Sequence, residues 1–456
     1  MVLSSVLFFL LTTTISTKIQ SANAFAPYSF KNNAFHHDTT TVTLQSSSSS
    51  STSTSSISTG DDSSSTPPNV LCIGETLWDS LPSGIYLGGA PSNVAVHLAY
   101  LFNNASPSSS SSSSSVNTAS VAVATCLGKD QLGKEAQRRL ALNGVRTDYV
   151  QFHSEWETGM ATALLDSNGD ATYEFNTPAA WDGLSLDSNL NCLIQHEEEQ
   201  QTDGDKEEET ENDNDNQHHD NVLFVMGTIA GRLDNEHGAT SLSTLMTVRN
   251  TAPEGTVVVD INLRSPWYKD TTVLELIRGS NEEERKKKLA LLKVNEEELV
   301  TLERWCGNMD TTADDHLFGD ALKIRMEQVA KSLNTQRICV TRGDKGAALW
   351  CDENETTTTT ASSSSSFDEN PGYSVPNKKT NDSDTVGAGD AFLASLIHSL
   401  FIHGETSEKA LERACALGGY VAGCRGATPA HGDAPDALRN VFSIVSSCDN
   451  DNSEYK

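Results

Sequence analysis

The chain has 456 residues, of which 37% are apolar, and a formal net charge of -30 at pH 7. This length allows two domains or one large core, and the acidity argues against a nucleic-acid backbone or an anionic membrane as a partner. Nine scattered cysteines without a C-x-x-C pair predict buried free thiols in a reducing compartment, and neither a disulfide framework nor a zinc site.

The N-terminus is typical of a targeting leader. An apolar run at residues 6–11 is followed by polar residues and the small triplet Ala22-Asn23-Ala24, which predicts a signal peptide over residues 1–24, although no basic residue precedes the run. Cleavage there exposes Phe25, and a Ser/Thr-rich, acid-poor stretch follows, so residues 25–68 are interpreted as transit peptide and Ser-rich linker. This leader resembles the bipartite presequences of algae with complex plastids. The resemblance implies the plastid stroma, with secretion as the alternative.

Downstream, strand-like apolar runs alternate with helix-like segments. The predicted strands lie at residues 70–74, 120–126, 222–226, 256–260, 289–294 and 337–341. The predicted helices lie at residues 92–102, 132–141, 239–250, 318–333, 391–401 and 407–423. Such alternation indicates parallel β-α-β units. We therefore expect an α/β fold with a doubly wound α/β/α layer over residues 69–446, and an acidic tail at 447–456.

Residues 149–182 change to short alternating runs. Runs at 159–166 and 170–175 flank Asn168-Gly169, and this dipeptide is a strong hairpin signal. Together with residues 83–88, the runs predict a small β-sheet lid. The alternative is that they extend the edge of the main sheet.

Low-complexity tracts interrupt the pattern and cannot bury apolar surface. Within the domain we place them as inserts at residues 104–117, 196–220 and 353–366. The second insert holds twelve acidic residues against one lysine, and so contributes -11 of the net charge. Because loop-closure entropy grows only slowly with length, these tracts are expected to be tolerated, and we assign them no catalytic role.

The run DTVGAGDAF at residues 384–392 places two glycines and an aspartate where an apolar helix begins. Free N–H groups at Gly387, Ala388 and Gly389 would add to the positive end of the helix dipole and form an anion cradle suited to phosphate. Asp390, beside that anion, is predicted to remove a proton from an attacking hydroxyl. The pattern therefore predicts phosphoryl transfer to an alcohol. The alternative is an ordinary helix start.

A second glycine pair joins a helix start far upstream, and six further short motifs accompany the two glycine segments. In chain order the eight are GETLWD at 74–79, GGAPSNVA at 88–95, GKDQLG at 128–133, DINLR at 260–264, KVNEEE at 293–298, VTRGDKG at 340–346, DTVGAGDAF and GATP at 426–429. Together they resemble the ribokinase-like (PfkB) carbohydrate kinase family. LWDSLPSG at 77–84, AWD at 180–182 and DINLR look most like bacterial-type fructokinases.

The resemblance implies roles for matching residues. The first glycine segment of that family binds sugar, and the second binds phosphate and carries the base. Sugar contacts are thus expected at Asp79, Gly88, Gly89, Asn93 and Asn262. Arg264 is expected to stabilise the transferring phosphate, because its fork binds oxyanions bidentately, with a surface ion pair as the alternative. Trp78 is expected in the core.

The same resemblance implies the nucleotide and metal positions. The expected nucleotide contacts are Thr341, Gly343, Gly346, Thr385, Gly387 and Gly389. Asn295 and Glu298 match an N-x-x-E pair that organises Mg²⁺, with an exposed acidic helix start as the alternative. Asp384 is a candidate to help hold K⁺, or is only a turn residue.

The sequence-based hypothesis is an ATP-dependent sugar kinase that converts fructose to fructose 6-phosphate by in-line transfer. Its partners would be a sugar and ATP, with no nucleic acid, no membrane for the mature form, and a homodimer through the lid by analogy. One alternative keeps the mechanism but changes the acceptor to ribose, a sugar acid or a nucleoside. Another is a non-catalytic fructokinase-like scaffold in a plastid assembly, although the expected base and glycines are all present.

Overall fold

The computed structural model describes residues 68–81, 84–105, 120–165, 171–195, 222–233, 236–307, 318–352, 365–373 and 385–444. The predicted signal peptide, nearly all of the transit segment, the acidic insert at 196–220, the acidic tail and Asp384 lie outside these residues.

Thirteen strands are assigned within the described residues. They are β1 Val70–Ile73, β2 Leu77–Leu81, β3 Gly84–Gly88, β4 Val121–Gly128, β5 Val150–His153, β6 Gly159–Leu165, β7 Ala171–Phe175, β8 Leu223–Gly227, β9 Val257–Asp260, β10 Leu291–Asn295, β11 Arg337–Thr341, β12 Ala347–Asp352 and β13 Ser365–Asn370.

The α-helices of the described part are α1 Ala90–Ala105, α2 Gln131–Leu142, α3 Ser188–Gln195, α4 Ser241–Thr251, α5 Asp270–Arg278, α6 Glu296–Trp305, α7 Gly319–Leu333, α8 Ala388–Ile397, α9 Ser407–Ala422 and α10 Asp436–Phe442. None of the helices in the described ranges is long and apolar enough to cross a membrane.

Nine strands form the large sheet, in the order β13-β12-β11-β10-β9-β8-β1-β4-β5. The pairs from β5 to β11 are parallel, and β12 and β13 extend the sheet antiparallel. All six predicted strands lie within the parallel part. Strands β1, β4 and β8 are buried along their whole length, as expected for parallel strands covered on both faces.

Helices cover the two faces of this sheet, with a separate apolar cluster on each. Alternate residues of β1 point to opposite faces: Leu71 and Ile73 join one cluster, while Val70 and Cys72 join the other. The first cluster includes side chains of α3 to α7, and the second includes those of α1, α8 and α9. The predicted doubly wound α/β/α layer is confirmed.

A separate four-stranded sheet has the order β3-β2-β6-β7. Strands β6 and β7 pair antiparallel as a hairpin, with Leu165 opposite Ala171, and β3 joins through β2. The predicted small sheet is therefore confirmed, and it gains β2, which carries Trp78 and Asp79. Only β5, from the same changed region, extends the edge of the large sheet.

The main corrections to the predicted boundaries concern α8, α1 and β13. Helix α8 begins at Ala388 and not at residue 391, because Gly387 adopts the left-handed conformation that starts it. Helix α1 continues to Ala105, into the segment assigned as an insert at 104–117. Strand β13 includes Ser365 and Ser366, assigned to the insert at 353–366, because their backbones pair with β12.

The cysteines agree with the predicted free thiols. All eight in the described ranges are free, and five of them are buried: Cys72, Cys126, Cys339, Cys351 and Cys415. Burial in apolar surroundings raises the pKa of the Cys126 thiol to about 12 and that of Cys415 also to about 12. These thiols are therefore protonated and unreactive at neutral pH.

Candidate active site

The parallel strands end at one edge of the large sheet, and the candidate residues follow those ends. Asp260 is the last residue of β9, Asn295 of β10 and Thr341 of β11. The strand register puts Lys293 beside Asp260 and Asn295 beside Thr341. In open α/β sheets, ligands bind in the crevice outside the carboxyl ends of the strands, so this edge is where a site is expected.

The glycine turn, residues 385–389, leads into α8 at this edge. Gly387 has φ 77° and is the N-cap of α8, where no side-chain cap hydrogen bond forms within the described part of the chain. A methyl group at Gly387 would lie 2.6 Å from atoms of Ala427, so only glycine fits. The first amides of a helix have no intrahelical acceptor. The Ala388 amide, predicted as an anion donor, instead donates to the Thr385 carbonyl at 3.3 Å, so within the described residues the amides of Gly387 and Gly389 are the ones left for an anion. Thr385, exposed beside the turn, is not the cap.

Asp390 stands in the first turn of α8 and is held from the other glycine segment. Asn93 Nδ2, on α1, donates to Asp390 Oδ2 at 2.8 Å, although the two residues lie 297 positions apart. Asn93 itself is only 4% exposed. The two glycine segments, which the sequence predicts to act together, are thus joined by a hydrogen bond between their side chains.

The first glycine segment fits around Asp79. A methyl group at Gly88 would lie 2.1 Å from Asp79 Oδ2, so the carboxylate lies against the glycine backbone. Gly89 has φ 102°, and a methyl group there would lie 2.4 Å from the Glu75 carbonyl oxygen. Asp79, Gly88, Gly89 and Asn93 are therefore assembled around the start of α1. This is the group expected to contact sugar.

A buried lysine lies beneath the glycine turn. Lys293 Nζ donates to Asp260 Oδ2 at 2.7 Å, and both side chains are almost fully buried. A methyl group added at Gly389 would lie 3.2 Å from Lys293 Nζ. Burial alone lowers the pKa of this amine, but the charge and hydrogen bond of Asp260 outweigh it and raise the pKa above its usual value. Lys293 therefore brings a fixed positive charge to the site.

Lys293 lies in the KVNEEE motif, but neither the motif nor the resemblance implies a role for it. The signal that could have identified it is a cationic residue inside the otherwise apolar run of β10, since lysine is almost never fully buried unless it is paired.

The electrostatic environment makes Asp390 a weaker acid than usual. Burial raises its pKa to about 6, and the negative charge of Asp260 acts in the same direction. The hydrogen bond from Asn93 and the charges of Lys293 and Arg264 act in the opposite direction. The carboxyl group is therefore mostly ionised at pH 7, and it can accept a proton within the physiological range.

Asn295 and Glu298 form a capping box at the start of α6. Asn295 Oδ1 accepts from the Glu298 amide at 2.8 Å, and Glu298 Oε2 accepts from the Asn295 amide at 2.9 Å. Glu298 Oε1 also accepts from the Leu263 amide at 2.8 Å. Glu298 is 7% exposed, so the alternative of an exposed acidic start does not describe it. Burial, and then the charge of Asp260, raise its pKa.

Two carboxylates at this edge offer oxygen atoms to a hard cation, although the described residues contain no group of three or more His, Cys, Asp or Glu side chains placed to hold a metal by themselves. Asp260 Oδ1 is buried and has no hydrogen-bond partner within the described chain. A carboxylate oxygen that already accepts one N–H bond retains a further lone pair, so Glu298 can still accept from a bound water. Mg²⁺ favours such oxygen ligands and keeps several waters.

The loop after β9 carries the other two candidates. Asn262 has a positive φ of 38°. Arg264 is exposed and forms no ion pair with any residue in the described ranges, so the alternative of a surface ion pair gains no support there. Its charge is close enough to lower the pKa of Asp390.

The proposed nucleotide loop follows β11. Thr341 Oγ1 donates to the Val294 carbonyl at 3.3 Å. Gly346 has φ 84°, and a methyl group there would lie 1.9 Å from the Asn370 carbonyl oxygen, whereas no atom lies within 4 Å of one at Gly343. Gly346 therefore shapes the loop, and Gly343 leaves its surface open.

Trp78 belongs to the core, as expected. It is 2% exposed, its Nε1 donates to the Leu132 carbonyl at 3.1 Å, and the Arg139 guanidinium lies 4.9 Å from its ring centroid. The candidate monovalent-cation ligand, Asp384, lies outside the described residues.

Comparison with known proteins places this chain among carbohydrate kinases. The model of the pfkB family carbohydrate kinases matches residues 84–226 and 238–432. A relative named probable fructokinase-6, chloroplastic, from Arabidopsis thaliana, is 26% identical over 384 residues, which are 80% of this chain and 79% of the relative.

Two solved structures show the same fold. Fructokinase with bound ATP from Xylella fastidiosa matches with a TM-score of 0.53 at 19% identity, over 80% of this chain and 96% of that one. Aminoimidazole riboside kinase from Salmonella enterica, complexed with aminoimidazole riboside and an ATP analogue, matches with a TM-score of 0.51 at 20% identity, over 82% and 99%. At such identities the likeness supports the fold alone.

Proposed function

This chain belongs to the pfkB family of carbohydrate kinases, and on that premise we propose that it transfers the γ-phosphoryl group of ATP to fructose, forming fructose 6-phosphate. The observation that carries the proposal is the 2.8 Å hydrogen bond from Asn93 to Asp390. It joins the helix start expected to bind sugar to the helix start expected to bind phosphate. An acceptor hydroxyl held by the first would lie beside the carboxylate of the second.

Asp390 is the proposed general base. The acceptor hydroxyl oxygen attacks the γ-phosphorus, the bond from phosphorus to the ADP oxygen breaks, and the hydroxyl proton passes to the Asp390 carboxylate. Its pKa of about 6 leaves it ionised at neutral pH yet basic enough to take the proton. Such a base contributes about 10²- to 10⁴-fold to the rate.

The developing charge on the phosphoryl oxygens would be met by the glycine turn and by Arg264. Backbone N–H groups at the start of α8 and the helix dipole stabilise an anion there. Lys293, fixed beneath Gly389, adds a positive charge that does not need to move. Arg264 is exposed and unpaired among the described residues, so it is free to turn towards a bound nucleotide.

Asn295, Glu298 and Asp260 supply the oxygen atoms that would hold Mg²⁺ or its waters. When bound with the nucleotide, the cation would neutralise part of the phosphate charge. The adjoining nucleotide contacts would be the loop from Thr341 to Gly346 and Thr385. The K⁺ hypothesis rests on Asp384 and stays a prediction.

Fructose is preferred as the acceptor because the relative from Arabidopsis thaliana is named a probable fructokinase. The riboside kinase is about as similar in fold as the Xylella fastidiosa fructokinase, and it makes a nucleoside-like acceptor the second candidate. Asp79 can accept hydrogen bonds from two hydroxyls of either acceptor. The geometry therefore supports the donor chemistry more strongly than the acceptor.

The test is ADP formation by the purified chain with Mg²⁺ and ATP, across fructose, glucose, ribose, 2-keto-3-deoxygluconate and adenosine. We expect the highest kcat/KM with fructose. A higher value with another acceptor would replace fructose and keep the mechanism. No turnover with any acceptor would contradict the proposed reaction.

We also propose the plastid stroma as the location. The leader composition and the chloroplastic name of the relative support it. Residues 1–68 fused to a fluorescent protein should enter the plastid of an alga with complex plastids, and secretion of the fusion would overturn this assignment.

A further inference from the structure

Two buried histidines lie behind the glycine turn and belong to none of the site residues described above. His97, on α1, and His431, after β13 and α9, are 0% and 3% exposed. Their ring planes are nearly parallel, 14° apart, with centroids 5.2 Å apart, and the rings meet edge to edge, with His97 Nδ1 2.9 Å from His431 Nε2. The other nitrogen, His97 Nε2, lies 2.9 Å from the carbonyl oxygen of Ala427.

The hydrogen bonds determine which nitrogens carry protons. A carbonyl oxygen can only accept, so His97 Nε2 must carry the hydrogen and donate to Ala427. In a neutral ring His97 Nδ1 is then an acceptor, and His431 Nε2 must donate to it. His431 Nδ1 is left as a bare lone pair, and it is buried without a hydrogen-bond partner in the described chain. The pair therefore forms a directed relay from His431 through His97 to Ala427.

Burial keeps this relay neutral. Desolvation lowers the pKa of His97 to about 4, although its bond to the Ala427 carbonyl opposes the shift. Burial, and then the neighbouring His97 and His398, lower the pKa of His431 to about 2. A second proton on either ring would have to be buried without an acceptor, so both rings keep the donor pattern above at neutral pH.

The acceptor at the end of the relay lies against the glycine turn. A methyl group at Gly387 would lie 2.6 Å from Ala427 Cα, Cβ and O, so the Ala427 backbone is packed directly against the N-cap of α8. His97 also lies one helical turn after Asn93 on α1. One helix therefore reaches Asp390 through Asn93 and the turn beside it through His97.

We propose that His97, supported by His431, is a positioning residue that fixes the glycine turn through the Ala427 carbonyl. This inference deepens the proposed function and rests on it. Amides that stabilise a transferring phosphoryl group must be in place before the reaction, and a small displacement of such groups is costly in rate. The histidine pair would supply that rigidity without contacting substrate.

The test compares matched variants of the full chain. His97→Leu removes both hydrogen bonds, whereas His97→Gln retains a donor for Ala427 and an acceptor for His431. We expect kcat to fall about tenfold or more in His97→Leu and to stay within about threefold of the parent in His97→Gln. The KM for the sugar should change by less than about threefold in both, because the loss is in phosphate alignment.

The control is His398→Leu. His398 is equally buried, at 2% exposure, but it pairs with His403 and not with the turn. It should lower stability without lowering kcat. An equal loss of kcat in His398→Leu, or a loss in His97→Gln as large as in His97→Leu, would reduce the effect to general packing and overturn the proposal.

A double variant tests the order of the relay. Since His431 acts through His97, kcat of His97→Leu combined with His431→Leu should equal that of His97→Leu alone. A loss of kcat in the double variant equal to the product of the losses in the two single variants would contradict the relay.

Hydrogen–deuterium exchange at residues 385–391 separates failure of the proposed function from failure of the positioning role, because the exchange measurement needs no turnover. If no acceptor is phosphorylated by the parent chain, the reaction is wrong. Faster exchange there in His97→Leu, and not in His398→Leu, would still support the positioning role, and unchanged exchange would overturn it.

Discussion

The starts of α1 and α8 look alike in sequence but differ in what satisfies their amides. Each follows a glycine with positive φ, 102° at Gly89 and 77° at Gly387. At α1, Glu75 Oε1 accepts from the Ala90 amide at 3.1 Å. At α8, the N-cap makes no side-chain cap hydrogen bond, and the Ala388 amide donates to the Thr385 carbonyl. The first start is therefore capped by an acidic side chain of the protein, whereas at the second the amides of Gly387 and Gly389 have no acceptor among the described residues.

This difference assigns different ligands to the two starts. The Glu75 side chain already occupies the Ala90 amide at the start of α1, so this start offers less to an anion and a neutral polyol is the suitable ligand on that side. The open start of α8, with Lys293 beneath it, suits phosphate. Glycine next to a helix thus specifies a sharp turn, and the surrounding side chains decide what the turn binds.

Substitution of Asp390, the proposed general base at the start of α8, should have the largest effect. Asp390→Asn keeps the side-chain size and can still hydrogen-bond Asn93, but it cannot take a proton. We expect kcat to fall about 10²- to 10⁴-fold, with little change in unfolding free energy, measured by ADP formation and urea denaturation. Asp436→Asn is the matched control, because it changes another first-turn aspartate, and its kcat should equal that of the parent. Loss of less than about tenfold in Asp390→Asn would show that Asp390 is not the base.

The second largest effect is expected from a side chain added within the glycine turn. In Gly387→Ala the added methyl group collides with Ala427, and the alanine must keep an unfavourable positive φ. We therefore expect about 1–3 kcal/mol of destabilisation together with a large loss of kcat. Gly343→Ala also has a positive φ, 59°, but meets no atom within 4 Å. It should cost about 1 kcal/mol. Equal costs for the two, measured by denaturant unfolding, would contradict the close packing against Ala427.

Removing the hydrogen bond between Asn93 and Asp390, which joins the two helix starts, should change the pH dependence of kcat/KM. The hydrogen bond from Asn93 favours the ionised form of Asp390 and lowers its pKa, so Asn93→Ala should raise it. The parent should lose kcat/KM as pH falls through about 6, and the variant should lose it at higher pH. Asn103→Ala, at an exposed position of α1, should leave the acid limb unchanged. An unshifted limb in Asn93→Ala would argue against Asp390 as the titrating group.

The smallest effect is expected at the α1 cap. Burial raises the pKa of Glu75 to about 8, the bond from the Ala90 amide lowers it, and the charge of Asp390 raises it. As pH rises from about 4.5 to about 8, the unfolded chain releases a proton that the folded chain retains, so the parent loses stability in that window. Glu75→Gln cannot titrate.

Compared with the parent, the free energy of unfolding of Glu75→Gln should therefore increase as pH rises from 5 to 8. Urea denaturation at both values measures this. A pH-independent difference between the two proteins would contradict the raised pKa of Glu75.

Much of the fold was predictable because its determinants are local. Apolar runs of strand length identified six of the seven strands in the parallel part of the large sheet, and Asn168-Gly169 identified the hairpin of the small sheet. The start of α8 was misplaced by three residues because alanine and glycine carry no apolar signal there. Strand β13 begins within a serine tract, where backbone pairing with β12, and not side-chain pattern, decides the structure.

The candidate site was predictable as a set of residues but not as a set of contacts. The pattern at the start of α8 supplied Asp390 and Gly387 to Gly389, and resemblance supplied Asn93, Gly88 and Gly89. The pairing of Lys293 with Asp260, the Glu75 cap and the His97 relay join residues from different elements. Their formation depends on tertiary packing, and single-sequence periodicity carries no information about such partners.

The most direct test of the difference between the two helix starts is hydrogen–deuterium exchange with each ligand separately. Saturating ADP with Mg²⁺ should slow exchange at residues 385–391 and leave residues 88–95 unchanged, and fructose alone should slow exchange at 88–95. Protection of 88–95 by the nucleotide alone, with none at 385–391, would contradict the assignment of phosphate to α8.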